Sequence, residues 1–118
     1  MSKVHPEAFV EWTATASGTT AATASAPAAQ APLRQFFVTA VISITGTLSA
    51  VGSITFNFGA SRSWVIHPFP GSGSGGTIVV TFNKAIRCDI NFQLNVVATG
   101  FTGATNVDVN IGGYQVRE

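Results

Sequence analysis

Residues 71 to 76 run Gly71-Ser72-Gly73-Ser74-Gly75-Gly76 and satisfy the spacing G-x-G-x-x-G. In a dinucleotide site that loop follows a strand and opens a helix whose N-terminus holds the phosphates. Here it leads into Thr77-Ile78-Val79-Val80-Thr81-Phe82, a β run with no βαβ unit around it, so an exposed, flexible hairpin loop is expected instead. Serine is plentiful, yet no G-x-S-x-G lies between a strand and a helix, as a nucleophile elbow requires. The histidines are His5 and His67. Zinc takes three or four His, Cys or carboxylate ligands at suitable spacing, and His67, Cys88 and Asp89 have none that gathers them. His67, preceding Pro68, is expected at a strand end, hydrogen-bonded to backbone. Asp89 and Asp108 are the internal carboxylates after Leu33. A glycosidase would need both in one cleft about 5–10 Å apart, and strand-end solvation suits each better. Cys88 sits between Arg87 and Asp89, whose charges push its pKa in opposite directions; it reads as a structural thiol. Trp12, Trp64 and Tyr114 could stack on sugar rings, but they form no platform, and Trp64 fits a core position equally well. No catalytic residue, cofactor site or metal site is expected, and the chain does not read as an enzyme.

The elements that would carry such residues are strands. Successive side chains of a strand point to opposite faces, so a period of two sorts them. Asp89 to Val97 shows this most plainly: Ile90, Phe92, Leu94 and Val96 alternate with Asn91, Gln93 and Asn95. This stretch is expected to be the strand around which the others are arranged. Phe36, Val38, Ala40, Ile42 and Ile44 share one phase, with Phe37 and Val41 in the other, which predicts a strand buried partly on both faces. Ile54, Phe56 and Phe58 alternate with Thr55 and Asn57. Trp64 to Phe69, Thr77 to Phe82, Asn106 to Ile111 and Tyr114 to Arg117 are further strands, with a turn at Asn83-Lys84 and a sharp turn or bulge at Gly112-Gly113. About seven strands at this spacing predict a sandwich or barrel. Strands with one apolar face bury it sheet against sheet, so the expected fold is all-β: an antiparallel, jelly-roll-like β-sandwich.

Charge is scarce. Charged residues make up 9% of the 118, with 6 basic and 5 acidic residues and a net charge of +1, against roughly 25% charged in ordinary soluble domains. A compact monomer of this mass would expose roughly 6,000 Å². So few charges are thin cover for it, because charge is one thing that holds proteins apart in solution. Much of the surface is therefore expected to face other protein. Lys3, Arg34, Arg62, Lys84, Arg87 and Arg117 are scattered singly, whereas a nucleic-acid binder needs clustered basic residues; no nucleic-acid partner is expected. With Cys88 alone there is no intrachain disulfide. The longest apolar stretch, Phe36 to Ile44, falls far short of the roughly 20 residues of a spanning helix, and Met1 to Glu11 lacks the pattern of a signal peptide. A soluble chain made in a reducing compartment, with no membrane partner, is expected.

Ahead of the strands, Thr13 to Pro32 is almost wholly Ala, Thr and Ser, with Gly18, Pro27, Gln30 and Pro32. It holds no large apolar residue to offset its ordering entropy. Residues 1–33 are thus expected to form an extended arm outside a β-sandwich domain of residues 34–118, held by a neighbouring chain. The alternative is that the arm packs along its own domain edge as an added strand. An uncharged arm can add to a neighbour's sheet through backbone hydrogen bonds. Val4, Phe9, Val10 and Trp12 are the apolar residues that could anchor it.

The Ala/Thr/Ser-rich lead, the short strand Gly52-Ser53-Ile54-Thr55-Phe56 and the closing Val107-Asp108-Val109-Asn110-Ile111-Gly112-Gly113-Tyr114 resemble the texture of small all-β virion proteins of tailed bacteriophages, in particular the capsid decoration, or cement, proteins. That resemblance implies a structural protein on the outside of the capsid shell, synthesised in the host cytoplasm. Its implied partners are other copies of itself, as a homotrimer, and the major capsid protein. It carries over no catalytic residue. A rival expectation is a receptor- or carbohydrate-binding module of a tail fibre or spike, reading through the loops Gly71–Gly76 and Thr99–Thr105. A third is a head–tail connector or tail-tube component.

Overall fold

The computed structural model describes residues 9–27 and 33–117. These form nine strands: β1 (Phe9–Gly18), β2 (Ala22–Ser25), β3 (Leu33–Leu48), β4 (Ser53–Gly59), β5 (Arg62–Ile66), β6 (Gly73–Ser74), β7 (Thr77–Arg87), β8 (Asn95–Thr99) and β9 (Ala104–Arg117). All pairings are antiparallel. One sheet runs β1-β9-β3, with β7 and the two-residue β6 sharing the far edge of β3; the other runs β2-β8-β4-β5. The chain is an antiparallel β-sandwich, as its alternation predicts. Its surface, 6272 Å², is close to that expected of a compact monomer of this mass.

The inner faces interlock through phenylalanine. Phe37 of β3 meets Phe56 and Phe58 of β4 across the sandwich, each at 5.9 Å between ring centroids, and Phe82 of β7 at 5.5 Å. Ile42, Ile44, Ile54, Leu94, Val96, Val107 and Val109 complete a dry interior. Trp64 leans over Phe56 at 5.1 Å and meets Phe82 edge-on at 6.2 Å, so it closes the gap between the β5 and β7 edges.

The expected external arm is corrected by this structure. All ten residues of β1 pair with β9, from Phe9 opposite Val116 to Gly18 opposite Val107. Strand β2 pairs with β8, from Ala22 opposite Ala98 to Ser25 opposite Asn95. Residues 9–27 therefore supply one edge strand to each sheet, and the boundary drawn at residue 33 separates nothing in the sandwich. The physical reason lies in alternation rather than bulk. Trp12, Ala14 and Ala16 turn inward with Thr13, Thr15 and Ser17 outward; Ala22, Ala24 and Ala26 are buried with Thr23 and Ser25 exposed. Alanine suffices as an inward residue where two edge strands lie close together, and the backbone ladder adds what the side chains lack.

Other expectations shift for local reasons. The stretch Asp89 to Val97 is not one strand: β8 begins only at Asn95. Ile90 and Asn91 form a turn, with Asn91 at φ 60° and Ile90 45% exposed. Asparagine tolerates that left-handed conformation, and Asp89 is held at the sheet end, so the alternation stops there. In β3 the phase changes at Val38, which sits alone between the pairs Phe37–Gly113 and Thr39–Gly112. This bulge puts Phe37 inward together with Ala40, Ile42 and Ile44, and leaves Phe36 outward. Strand β9 runs straight through Gly112-Gly113. A Cβ on Gly113 would lie 2.1 Å from the Phe36 carbonyl oxygen and 2.9 Å from the Trp12 ring, so that position requires glycine. The turn expected at Asn83-Lys84 is a bulge inside β7, where the register passes from Thr39–Thr81 to Phe37–Ile86.

Candidate functional surfaces

Gly71–Gly76 opens no helix and is docked rather than free: β6 pairs with Thr47 and Leu48, the Ile44 amide donates to the Gly76 carbonyl at 2.9 Å, and the Gly75 amide donates to the Gly46 carbonyl at 3.2 Å. A Cβ on Gly75 would sit 2.3 Å from the Ile44 carbonyl oxygen, which explains the glycine. His67 does lie past a strand end, with Nδ1 2.8 Å from the Gly52 carbonyl oxygen. His5 and Val4 lie outside the described residues. Phe9 opens β1 and Val10 is 41% exposed, whereas Trp12 is buried beside Gly113 in its own core. Trp12 thus anchors β1 to this sandwich and presents no surface to a neighbouring chain. Among the described residues no three of His, Cys, Asp and Glu converge.

Asp89 and Asp108 share no cleft. Asp108 lies on the outer face of β9, where Oδ2 accepts from Asn106 Nδ2 at 2.7 Å. Asp89 closes one end of the sandwich. Its Oδ1 is 3.0 Å from Arg62 Nη1, its Oδ2 accepts from the Ala60 amide at 3.2 Å, and its own amide donates to the Phe58 carbonyl at 3.0 Å. Arg62 Nη1 also reaches the Arg87 carbonyl at 2.7 Å, and Arg34 Nη1 donates to the Cys88 carbonyl at 2.8 Å. Beneath them Gln35, fully buried, donates through Nε2 to the Pro27 carbonyl at 2.6 Å and to Gln115 Oε1 at 3.3 Å. This network ties both sheets together at that end. Cys88 is enclosed by it, and burial pushes its thiol up to about 11, against the opposing pull of Arg62.

The Arg62 hydrogen bond, ahead of the Ala60 amide, holds the Asp89 carboxyl below its usual range. A depressed folded pKa means that stability is present above the ordinary carboxylate pKa near 4 and lost as pH falls through the lowered value. Asp89→Asn is therefore expected to lower the urea midpoint at pH 7. The gap from wild type should close only in acid well below pH 4, followed by urea melts across pH. A gap that stays constant into acid would count against the ionised carboxylate as the holding group.

Charge is segregated. Among the described residues every Lys, Arg, Asp and Glu except Asp108 lies toward the end where β1 and β3 begin and β7 and β9 finish. The opposite end, built from the turns after β1, β3, β5 and β8, carries none. The outer face of the β2-β8-β4-β5 sheet carries none either. Its rows read Ser25, Asn95, Asn57, Ser63 and then Thr23, Val97, Thr55, Val65, with Ser53 beside Thr99. Asn57 Nδ2 donates to Asn95 Oδ1 at 2.7 Å within this face. Sequence reading registered the shortage of charge but not its placement, which only the register between strands reveals.

No protein-family model matches the chain, and no curated protein matches it. Distant likenesses exist among solved structures. A chain of the virus-like particle of the extra small virus of the giant freshwater prawn Macrobrachium rosenbergii is 10% identical, with 99% of this chain and 85% of that chain covered, at a TM-score of 0.41. PirA is 15% identical over 92% of this chain and 97% of that chain, at 0.39. A Bacillus endospore appendage from a family of disulfide-linked pili is 14% identical over 92% and 88%, at 0.32. At such scores neither fold nor function follows from likeness, and the sandwich assignment rests on the strand pairing itself.

Proposed function

We propose that this chain is a structural protein of a virus particle, a decoration protein on a bacteriophage shell, and that it acts through surfaces rather than through a reaction centre. The observation that carries the reading is the broad outer face of β2-β8-β4-β5, whose rows hold no Lys, Arg, Asp or Glu. Interface cores are depleted in charge, and a face of Val, Thr, Ser and Asn is inexpensive to desolvate when each polar group finds a partner. Its proposed occupants are further copies of this chain and the major capsid protein. Neither nucleic acid nor membrane is among its proposed partners. The strand orders β1-β9-β3-β7 and β2-β8-β4-β5 support the reading, for we read them as the eight strands of a jelly roll, a plan used by capsid and lectin domains alike. A fold does not fix a function, so the weight rests on the face. The part proposed to bind neighbours is the sandwich itself, since residues 9–27 are built into it.

Gold-labelled antibody against the chain, applied to particles purified from a producing culture, tests the location. Label spread over intact shells is the expected result. Label confined to tails, or absent from particles, would contradict it.

A further inference from the structure

The geometry points to a binding strip for a neutral oligosaccharide along the seam of β1 and β9, on the sheet face opposite the one discussed above. The inference goes beyond the structural role and does not depend on it. Along this seam the outward residues pair across the two strands: Glu11 with Tyr114, Thr13 with Gly112, Thr15 with Asn110, Ser17 with Asp108. From Asp108 to Tyr114 the strip is roughly 20 Å long at strand spacing. Two adjoining depressions lie on it. One, of about 250 Å³, has Gly112 and Gly113 in its lining, flanked by Glu11, Thr13, Thr39 and Tyr114. The other, of about 430 Å³, is lined by Thr15, Ser17, Asp108 and Asn110.

The chemistry suits a sugar. Hydroxyl, amide and carboxylate groups are the hydrogen-bonding partners of a polyol, and an aromatic face packs against its C–H face. Tyr114 is held ready for this by Phe36, stacked against it at 5.1 Å and 11°, so little freedom is lost on binding. The gap above Gly112 exists because that residue has no side chain. Charge selects further: the carboxylates along the seam, Glu11 and Asp108, repel anionic glycans and nucleic acids and favour neutral chains.

Titration of the full chain with a panel of soluble neutral hexasaccharides (malto-, cello-, manno- and chito-series), followed by amide chemical shifts, tests this. A sulfated and a sialylated glycan serve as controls. At least one neutral member should shift β1 and β9 amides. Its affinity should fall about tenfold in Tyr114→Ala and also in Gly112→Ala, and stay unchanged in Trp64→Ala, which lies at the opposite edge. Gly112→Ala places its methyl 3.3 Å from Thr39 Cγ2, a tight contact on a backbone that is not left-handed, so its fold is checked by circular dichroism; Asn110→Ala, at an exposed position, is a second weakening variant. The proposal is overturned if no neutral member binds, if an anionic control binds better, or if binding survives both Tyr114→Ala and Gly112→Ala.

Discussion

A chain lacking residues 1–27 is expected to lose cooperative folding. The deletion removes β1 and β2, and with them ten register pairs to β9 and four to β8. A net contribution of about 0.5–1.5 kcal/mol for each backbone hydrogen bond already amounts to several kcal/mol. Burial of Trp12 adds about 1.5–3 kcal/mol, and the deletion also strips Ala22, Ala24 and Ala26 from the core. Typical domains hold only about 5–15 kcal/mol in total. The cut also leaves β9 and β8 as long unpaired edges, which invite aggregation. Far-UV circular dichroism with urea titration reads the result: a broad, non-cooperative transition or an insoluble product is expected. A truncated chain that melts sharply at the full-length midpoint would return residues 9–27 to the status of an external arm.

Phe37→Ala should destabilise the protein by about 3–5 kcal/mol. Phe37 is fully buried and its ring touches Phe56, Phe58 and Phe82, so it joins β3, β4 and β7 at one point. Truncation removes the apolar burial of the ring and leaves a cavity that two twisted sheets cannot readily collapse into. Phe36→Ala makes the contrast. Phe36 is adjacent in sequence but points outward beside Tyr114, and its loss should be far milder. Equal effects at the two positions, in urea melts of both variants, would show that the bulge at Val38 does not set the phase of β3.

Much of the fold was legible from alternation, and the departures share a cause. Ile54, Phe56 and Phe58 face inward as their spacing predicts, because nothing interrupts β4. Phe36 and Phe37 exchanged roles because a bulge opposite Gly112-Gly113 shifts the phase, and bulges depend on a partner strand that one sequence segment cannot reveal. Ile90 and Phe92 left the expected strand because the chain turns at Ile90-Asn91, with Asn91 at φ 60°, next to an Asp89 that pairs with Arg62, distant in sequence. In the lead, the external arm gives way to the alternative, an added strand at its own domain's edge, for a different reason. Its Ala/Thr alternation was visible, but alanine was weighed for bulk rather than for position, and a ladder needs no large side chains. As for surfaces, composition revealed how few charges there are. Which faces lack them, and which outward residues meet along β1 and β9, follows from register alone.

Sedimentation velocity of the purified full chain over a rising concentration series, beside Val97→Lys, tests the surface reading most directly. Val97 lies mid-face between Thr23 and Thr55, where a lysine would be stranded by any covering partner yet solvated in a lone molecule. The wild-type chain should sediment faster as concentration rises, while Val97→Lys, with an unaltered fold by circular dichroism, stays monomeric. A wild-type chain that remains a monomer at every concentration, or a lysine variant that associates just as well, would contradict it.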